Sequence, residues 1–244
     1  MPNPILDCMG AHRTVRQFLP DPVPSAHIET AVRAAQMAAT SSWIQAYSLL
    51  QVSDPATRLQ LAELAGGQAQ VHEAGAFFLV LGDNRRHAAI QAQYGKPFEH
   101  NLEVFLTTAI DASLFAQNLT LAFESLGYGT CYIGAMRNDV ARLVQVLDLP
   151  AHVYPFFGLC VGRPAQDPGL RPRLPLEAVW QVDRLAAETD LPEHIAAADA
   201  LATPYYAERG QPKRNWSGAM ARRFDHLERE PLRADYERQG ARLD

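Results

Sequence analysis

The sequence predicts an α+β fold, a small sheet with helices on both faces. Three observations lead there. Two continuous apolar runs, 76–82 (AFFLVLG) and 154–162 (YPFFGLCVG), read as strands buried on both faces. One long apolar stretch, 99–126, has helical spacing. Strand-like and helix-like segments alternate irregularly, and no Gly-x-Gly-x-x-Gly follows a strand, which argues against a Rossmann dinucleotide fold.

In chain order, residues 4–11 suit a short helix, and 13–18 reads as extended. Pro20, Pro22 and Pro24 then break the chain. Ser25 is the expected N-cap of a helix reaching about Ala38. Residues 46–53 are strand-like. Asp54-Pro55 opens another helix, aspartate as cap and proline at its first position, and Gly66-Gly67-Gln68 closes it. Residues 85–100 are polar, with Tyr94, Lys96 and Pro97, and are expected to form a mobile helix or loop over a site. The long helix carries Leu102, Phe105, Leu106, Ile110, Leu114, Phe115, Leu119 and Phe123 on more than one face, the mark of a core helix or a subunit interface. Gly127 and Gly129 end it. A small-residue turn follows, and Asn138 is the expected cap of a helix to about Leu147. Residues 185–206 are alanine-rich and partly helical, and 209–244 is arginine-rich among acids.

Bulk properties bound the function. A chain of 244 residues, 48% hydrophobic, makes one large domain or a domain plus an arm. The net charge of −5 disfavours nucleic acid as a partner despite local arginine clusters. Cys8, Cys131 and Cys160 give no zinc pattern and no even disulfide framework, which fits a reducing cytoplasm. Cys131 and Cys160 read as inert core thiols. The histidines show no ligand spacing, so no metal is expected. No signal pattern or membrane-length apolar run occurs, and no Gly-x-Ser-x-Gly elbow.

Two clusters, His12-Arg13-Thr14-Val15-Arg16 and Arg171-Pro172-Arg173, present guanidinium groups suited to the planar fork that grips phosphate. Between them, Tyr132-Ile133-Gly134-Ala135-Met136-Arg137-Asn138 offers a turn where a flat ring can approach the backbone. Together they suggest a phosphorylated planar cofactor. Each has a plainer reading as a solvated strand, loop or turn.

Six segments in order then resemble the nitroreductase family: HRTVRQF, TSSWIQAYS, GGQ, AQNLTLAFESLGYGTCYIGAMRN, FFGLCVGRP and RPRLP. The resemblance covers essentially the whole chain and is closest to the NADPH-dependent, FMN-containing nitroreductase and flavin reductase branch with a long C-terminal arm. It implies a nitroreductase-like central sheet and a domain-intertwined homodimer with FMN at the subunit interface. Residues 1–175 would form the FMN-binding core. Residues 176–244 would form an arm packing on the partner subunit and contributing to NADPH binding.

By the same resemblance, His12, Arg13, Thr14 and Arg16 hold the phosphate, ribityl chain and pyrimidine edge of FMN. Arg171 and Arg173 aim at the phosphate, with arginine at 171 where the family commonly has lysine. Tyr132, Ile133, Gly134 and Ala135 lie against the ring, with Ala135 where glycine is common. Thr40, Ser41, Ser42 and Gln68 come from the partner subunit. Trp43 lines the substrate pocket or packs in the core. Arg209, Lys213 and Arg214 meet the 2′-phosphate of NADPH on a loop one residue shorter than usual. No catalytic side chain is implied, because FMN N5 carries the chemistry. The implied activity is two-electron, ping-pong reduction of nitroaromatics, quinones or flavins. Alternatives are a dedicated flavin reductase serving a partner, and a flavin-binding storage or sensor protein.

Overall fold

The computed structural model describes residues 2–225 and 229–243. Four strands, β1 (Tyr47–Gln51), β2 (Ala76–Asp83), β3 (Gly129–Ile133) and β4 (Val153–Gly162), form one sheet in the order β1-β2-β4-β3. Every neighbouring pair is antiparallel. The sheet carries helices on both faces, and β2 shows why its sequence is apolar without a break. Phe78 and Val80 enter one core with Ala31 and Ala35 of α2 (Ser25–Ala35) and Phe115, Leu119 and Phe123 of α6 (Leu102–Ser125). Phe77, Leu79 and Leu81 enter the other, with Leu61 of α3 (Pro55–Leu64), Val71 of α4 (Gln70–Glu73) and Leu143 of α7 (Val140–Leu147). Each large side chain so buried contributes roughly 1.5–3 kcal/mol.

The caps follow local chemistry. Asn3 caps α1 (Pro4–Gly10), its side chain accepting from Ile5 N and Leu6 N. Asp54 caps α3 by accepting from Thr57 N at 2.8 Å. Two expected caps move by one residue. Ser25 is the first residue of α2 behind Pro24 and makes no capping hydrogen bond. Asp139, not Asn138, caps α7, accepting from Arg142 N at 2.8 Å. A third difference is larger. The long helix does not run straight into the small-residue turn: Gly127, at φ 83°, ends it, and Gly129 opens β3.

Residues 85–93 form a regular helix, α5 (Arg85–Gln93), tied to the sheet at its start. Arg85 donates from Nε to Asp83 Oδ1 at 2.9 Å and from Nη2 to Oδ2 at 2.6 Å. Burial alone would raise the Asp83 carboxyl. The Arg85 fork, the Ser48 hydroxyl and the Arg85 amide hold it down at about 2.

The chain makes two compact units, Met1–Pro168 with Arg229–Asp244, and Gly169–Glu228. In the first, α10 (Leu232–Arg238) returns to the core, where Tyr236 Oη donates to Pro155 O at 2.8 Å. The expected arm, 176–244, thus draws on both units. The second unit consists of α8 (Leu191–Ala207), α9 (Trp216–Phe224) and irregular chain. Asp199 of α8 accepts from Asn215 Nδ2 at 2.9 Å and from Ser217 Oγ at 2.6 Å, clamping the start of α9.

On the first unit Leu102, Leu106, Ile110 and Leu114 of α6 form an exposed apolar stripe at helical spacing. Among the described residues no helix is long and apolar enough to cross a membrane.

Candidate active site

The N-terminal cluster lies alongside β3. Val15 N donates to Thr130 O at 2.9 Å, and Thr14 forms a parallel bridge with Thr130. Val15 is buried, and side chains alternate along extended chain, so Thr14 and Arg16 face away from it. His12 Nδ1 lies 2.7 Å from Glu124 Oε1, which also accepts from Thr130 Oγ1 at 2.9 Å. The carboxylate only accepts, so Nδ1 carries the proton. Arg13 Nε sits 3.4 Å from Asp167. Arg16 is exposed and makes no ion pair among the described residues.

β3 leads from this segment into the small-residue turn. The exposed Tyr132 accepts through Oη from Thr120 Oγ1 at 2.9 Å, while Ile133 is buried in the core. At Gly134 no side chain stands on the backbone, and an added Cβ would come into ordinary contact with Arg137 Nη2 at 3.5 Å. The methyl of Ala135 packs against the core. Arg137 Nη1 donates to Phe156 O on β4, and Asn138 Oδ1 accepts from Arg229 Nε at 3.2 Å. These two residues of the motif anchor the turn.

Gln68 makes its hydrogen bonds within its own loop. Its Nε2 donates to Ala65 O at 3.0 Å and its Oε1 accepts from Gln70 Nε2 at 2.8 Å. Gln70 reaches Cys131. Burial pushes the Cys131 thiol up, opposed by the charge of Arg16 and the contact with Gln70. Burial pushes Cys160 well up too. Both are buried core thiols, as expected.

Thr40, Ser41, Ser42 and Trp43 belong to a second locus. A 3₁₀ turn, Ser41–Trp43, carries positive φ at Ser42 (45°) and Trp43 (60°), with Gln45 (55°) just beyond. Left-handed backbone strains side-chain-bearing residues. Asp111 of α6 pins both ends of the loop, accepting from Ser41 N at 2.9 Å and Ala46 N at 3.1 Å. Trp43 is 83% exposed, which removes the core-packing reading. It borders a cavity of about 730 Å³ with Gln45, Tyr47, Arg86, His87 and Phe115.

In the second unit, Arg171 and Arg173 are exposed around a half-buried Pro172. Arg209, Lys213 and Arg214 sit on a turn closed by hydrogen bonds from Gly210 N to Ala207 O at 3.0 Å and from Gln211 N to Tyr206 O at 2.9 Å.

The sequence reading missed Glu124 and Asp111. Each directly adjoins a buried apolar residue of α6, Ala112 beside Asp111 and Phe123 beside Glu124, and an acid in that place is the signal that could have found them. A buried acid persists where it has donors to serve.

The Nitroreductase family model matches residues 9–163, and the model of the Nitroreductase family C-terminal domain matches 171–244. The FMN reductase (NADPH) of Bacillus subtilis is 40% identical over 221 residues, 88% of this chain and 89% of that protein. The oxygen-insensitive NADPH nitroreductase of Salmonella typhimurium is 36% identical over 231 residues, covering 93% and 90%. Among solved structures, the NfrA1 nitroreductase of B. subtilis superposes with a TM-score of 0.93 at 36% identity, covering 97% of this chain and 98% of that one.

Proposed function

This chain belongs to the nitroreductase family, and we propose that it is an FMN-dependent NADPH oxidoreductase reducing nitroaromatics, quinones or free flavins. One observation carries the reading. The bridge between Thr14 and Thr130 sets the cationic segment His12–Arg16 beside the strand that runs into the Gly134 turn, where the backbone carries no Cβ. A phosphomonoester near −2 needs clustered cations, and a flat ring needs uncluttered backbone. Both lie within one unit, so the residues present fit FMN.

In this reading Arg13 and Arg16 supply positive charge to the phosphate and the N1–O2 edge. His12 and Thr14 supply hydrogen bonds along the ribityl chain. Tyr132, Ile133, Gly134 and Ala135 line one side of the ring. Arg171 and Arg173 add cations for the phosphate. FMN, when bound, would supply two-electron hydride chemistry at its N5. No side chain need act as acid or base at that atom. The protein's part is to orient the donor, hold compensating charge and admit donor and acceptor in turn, which gives ping-pong kinetics.

The exposed stripe of α6 supports a homodimer. In it, Thr40, Ser41, Ser42 and Gln68 would reach the flavin of the second subunit, and Trp43 would stack on flat acceptors. Arg209, Lys213 and Arg214 would select the 2′-phosphate of NADPH. The cysteine usage supports a cytoplasmic location.

The test is the absorption spectrum of the purified protein, repeated after adding NADPH without oxygen. Flavin bands that bleach are expected. A protein that stays colourless with added FMN overturns the reading. A dedicated flavin reductase is the second reading, favoured by the 40%-identical FMN reductase (NADPH). Faster turnover on free FMN than on a nitrofuran selects it.

A further inference from the structure

Helix α8 ends in two adjacent tyrosines, and each carries an arginine. Arg209 Cζ lies 3.7 Å from the centre of the Tyr205 ring, and Arg214 Cζ lies 4.6 Å from that of Tyr206. The rings meet edge to face, their centres 5.4 Å apart at 76°. The turn through Gly210, at φ 74°, brings residue 214 back over residue 206. Further contacts fix the guanidinium groups: Arg209 Nη1 donates to Tyr205 O at 3.0 Å, and Arg214 Nη1 to Gln211 Oε1 at 2.9 Å. Lys213, between them in sequence, has no such support among the described residues.

Stacking uses the face of a guanidinium, whereas its N–H donors lie in the plane and point outward. An arginine laid on a ring is therefore already ordered when a phosphate arrives, and less freedom is lost on binding. Arg171 Cζ lies 5.8 Å from the Tyr205 ring as well. Tyr205 thus serves arginines of two segments, whereas Tyr206 among the described residues serves Arg214 alone.

We propose that Tyr205 and Tyr206 are specificity-determining positioning residues, an aromatic platform that presents Arg209 and Arg214 to the 2′-phosphate and so sets the preference for NADPH over NADH. The inference rests on the assignment of those arginines to the 2′-phosphate made above. It adds that the preference depends on rings that need not touch the nucleotide, and that Lys213 contributes less than either arginine.

The experiment compares kcat/KM for NADPH and NADH on the FMN-loaded enzyme. Tyr205→Leu and Tyr206→Leu are expected to lower the NADPH:NADH ratio by about three- to fivefold each, through KM for NADPH with NADH unchanged. Tyr205→Phe and Tyr206→Phe keep the face of the ring and are expected to keep the ratio. Arg209→Ala and Arg214→Ala should lower it by roughly tenfold or more, and Lys213→Ala by less. Inhibition by adenosine 2′,5′-bisphosphate relative to 5′-AMP reads the 2′-phosphate contact without hydride transfer and should follow the same order. It also serves any variant whose turnover is too low to measure. Leucine variants that keep the ratio while the arginine variants lose it overturn the platform and leave the arginine assignment standing. Arginine variants that keep the ratio overturn both.

Discussion

His12 and Glu124 form a dyad, the imidazole Nδ1 2.7 Å from a carboxylate whose side chain is only 10% exposed. Thr130 donates to the same oxygen, so the carboxylate ties the N-terminal segment to β3 through side chains as well as through backbone pairing. The carboxylate acceptor thereby fixes the tautomer, with the proton on Nδ1.

The first prediction follows. Glu124→Gln keeps the shape but replaces a charged acceptor with an amide. Hydrogen bonds to charged groups are worth roughly 1.5–3 kcal/mol, so FMN affinity should fall about tenfold or more. Quenching of FMN fluorescence by the apoprotein measures it. Unchanged affinity would mean that the dyad is structural and does not serve the cofactor.

Asp111 governs the loop that carries Trp43. Both of its oxygens accept backbone N–H groups, and an asparagine has one oxygen to offer. Asp111→Asn should cost about 1–3 kcal/mol of stability in a denaturant titration. Ser42→Gly, at a φ of 45°, should act in the opposite direction by relieving left-handed strain. If Asp111→Asn unfolds at the wild-type midpoint, the loop is held by something else.

His100 makes stability depend on pH. Its Nε2 lies 3.1 Å from His152 Nδ1 and 3.4 Å from Tyr154 Oη, and its Nδ1 is buried without a hydrogen-bond partner. Burial first, then His152 and Arg242, lower its pKa from 6.5 to about 4. The unfolded chain therefore binds this proton at a pH where the folded chain does not. Stability is full above the unfolded value and is lost as pH falls from 6.5 towards 4. The ring is partly solvated, so the loss between neutrality and the middle of that window should be about 1 kcal/mol. Replacing His100 with Gln should flatten the curve there. An equally steep loss in the variant would place the titration elsewhere.

Arg173→Ala should weaken FMN retention about tenfold or more, by removing one charge-assisted contact to the phosphate. Riboflavin, which lacks the phosphate, should bind the variant and the wild type alike. Equal FMN affinity would remove Arg173 from the site.

The parts of the fold legible in sequence were those with a strong local signature. β2 and β4 declared themselves because burial on both faces leaves an unbroken apolar run, and Asp54-Pro55 because a cap and a first-turn proline stand together. β3 was hidden. Its segment, GTCYI, is short, begins with glycine and mixes Thr, Cys and Tyr, so it shows neither alternation nor a run. Only pairing with β4 makes it a strand. The site was legible as clusters of arginine and small residues, but not as partnerships. That Glu124 serves His12 and that Asp111 pins the 41–46 loop are matters of tertiary placement.

The bare leucine and isoleucine stripe of α6 has a consequence beyond the site. A helix that gives one face to its own core and leaves another apolar face to water makes the lone chain a poor end state. If a second copy covers that face, mass action enters the folding equilibrium, and dilution acts as a denaturant. The melting temperature should then climb with protein concentration, and the cell's expression level becomes one of the forces holding the molecule together.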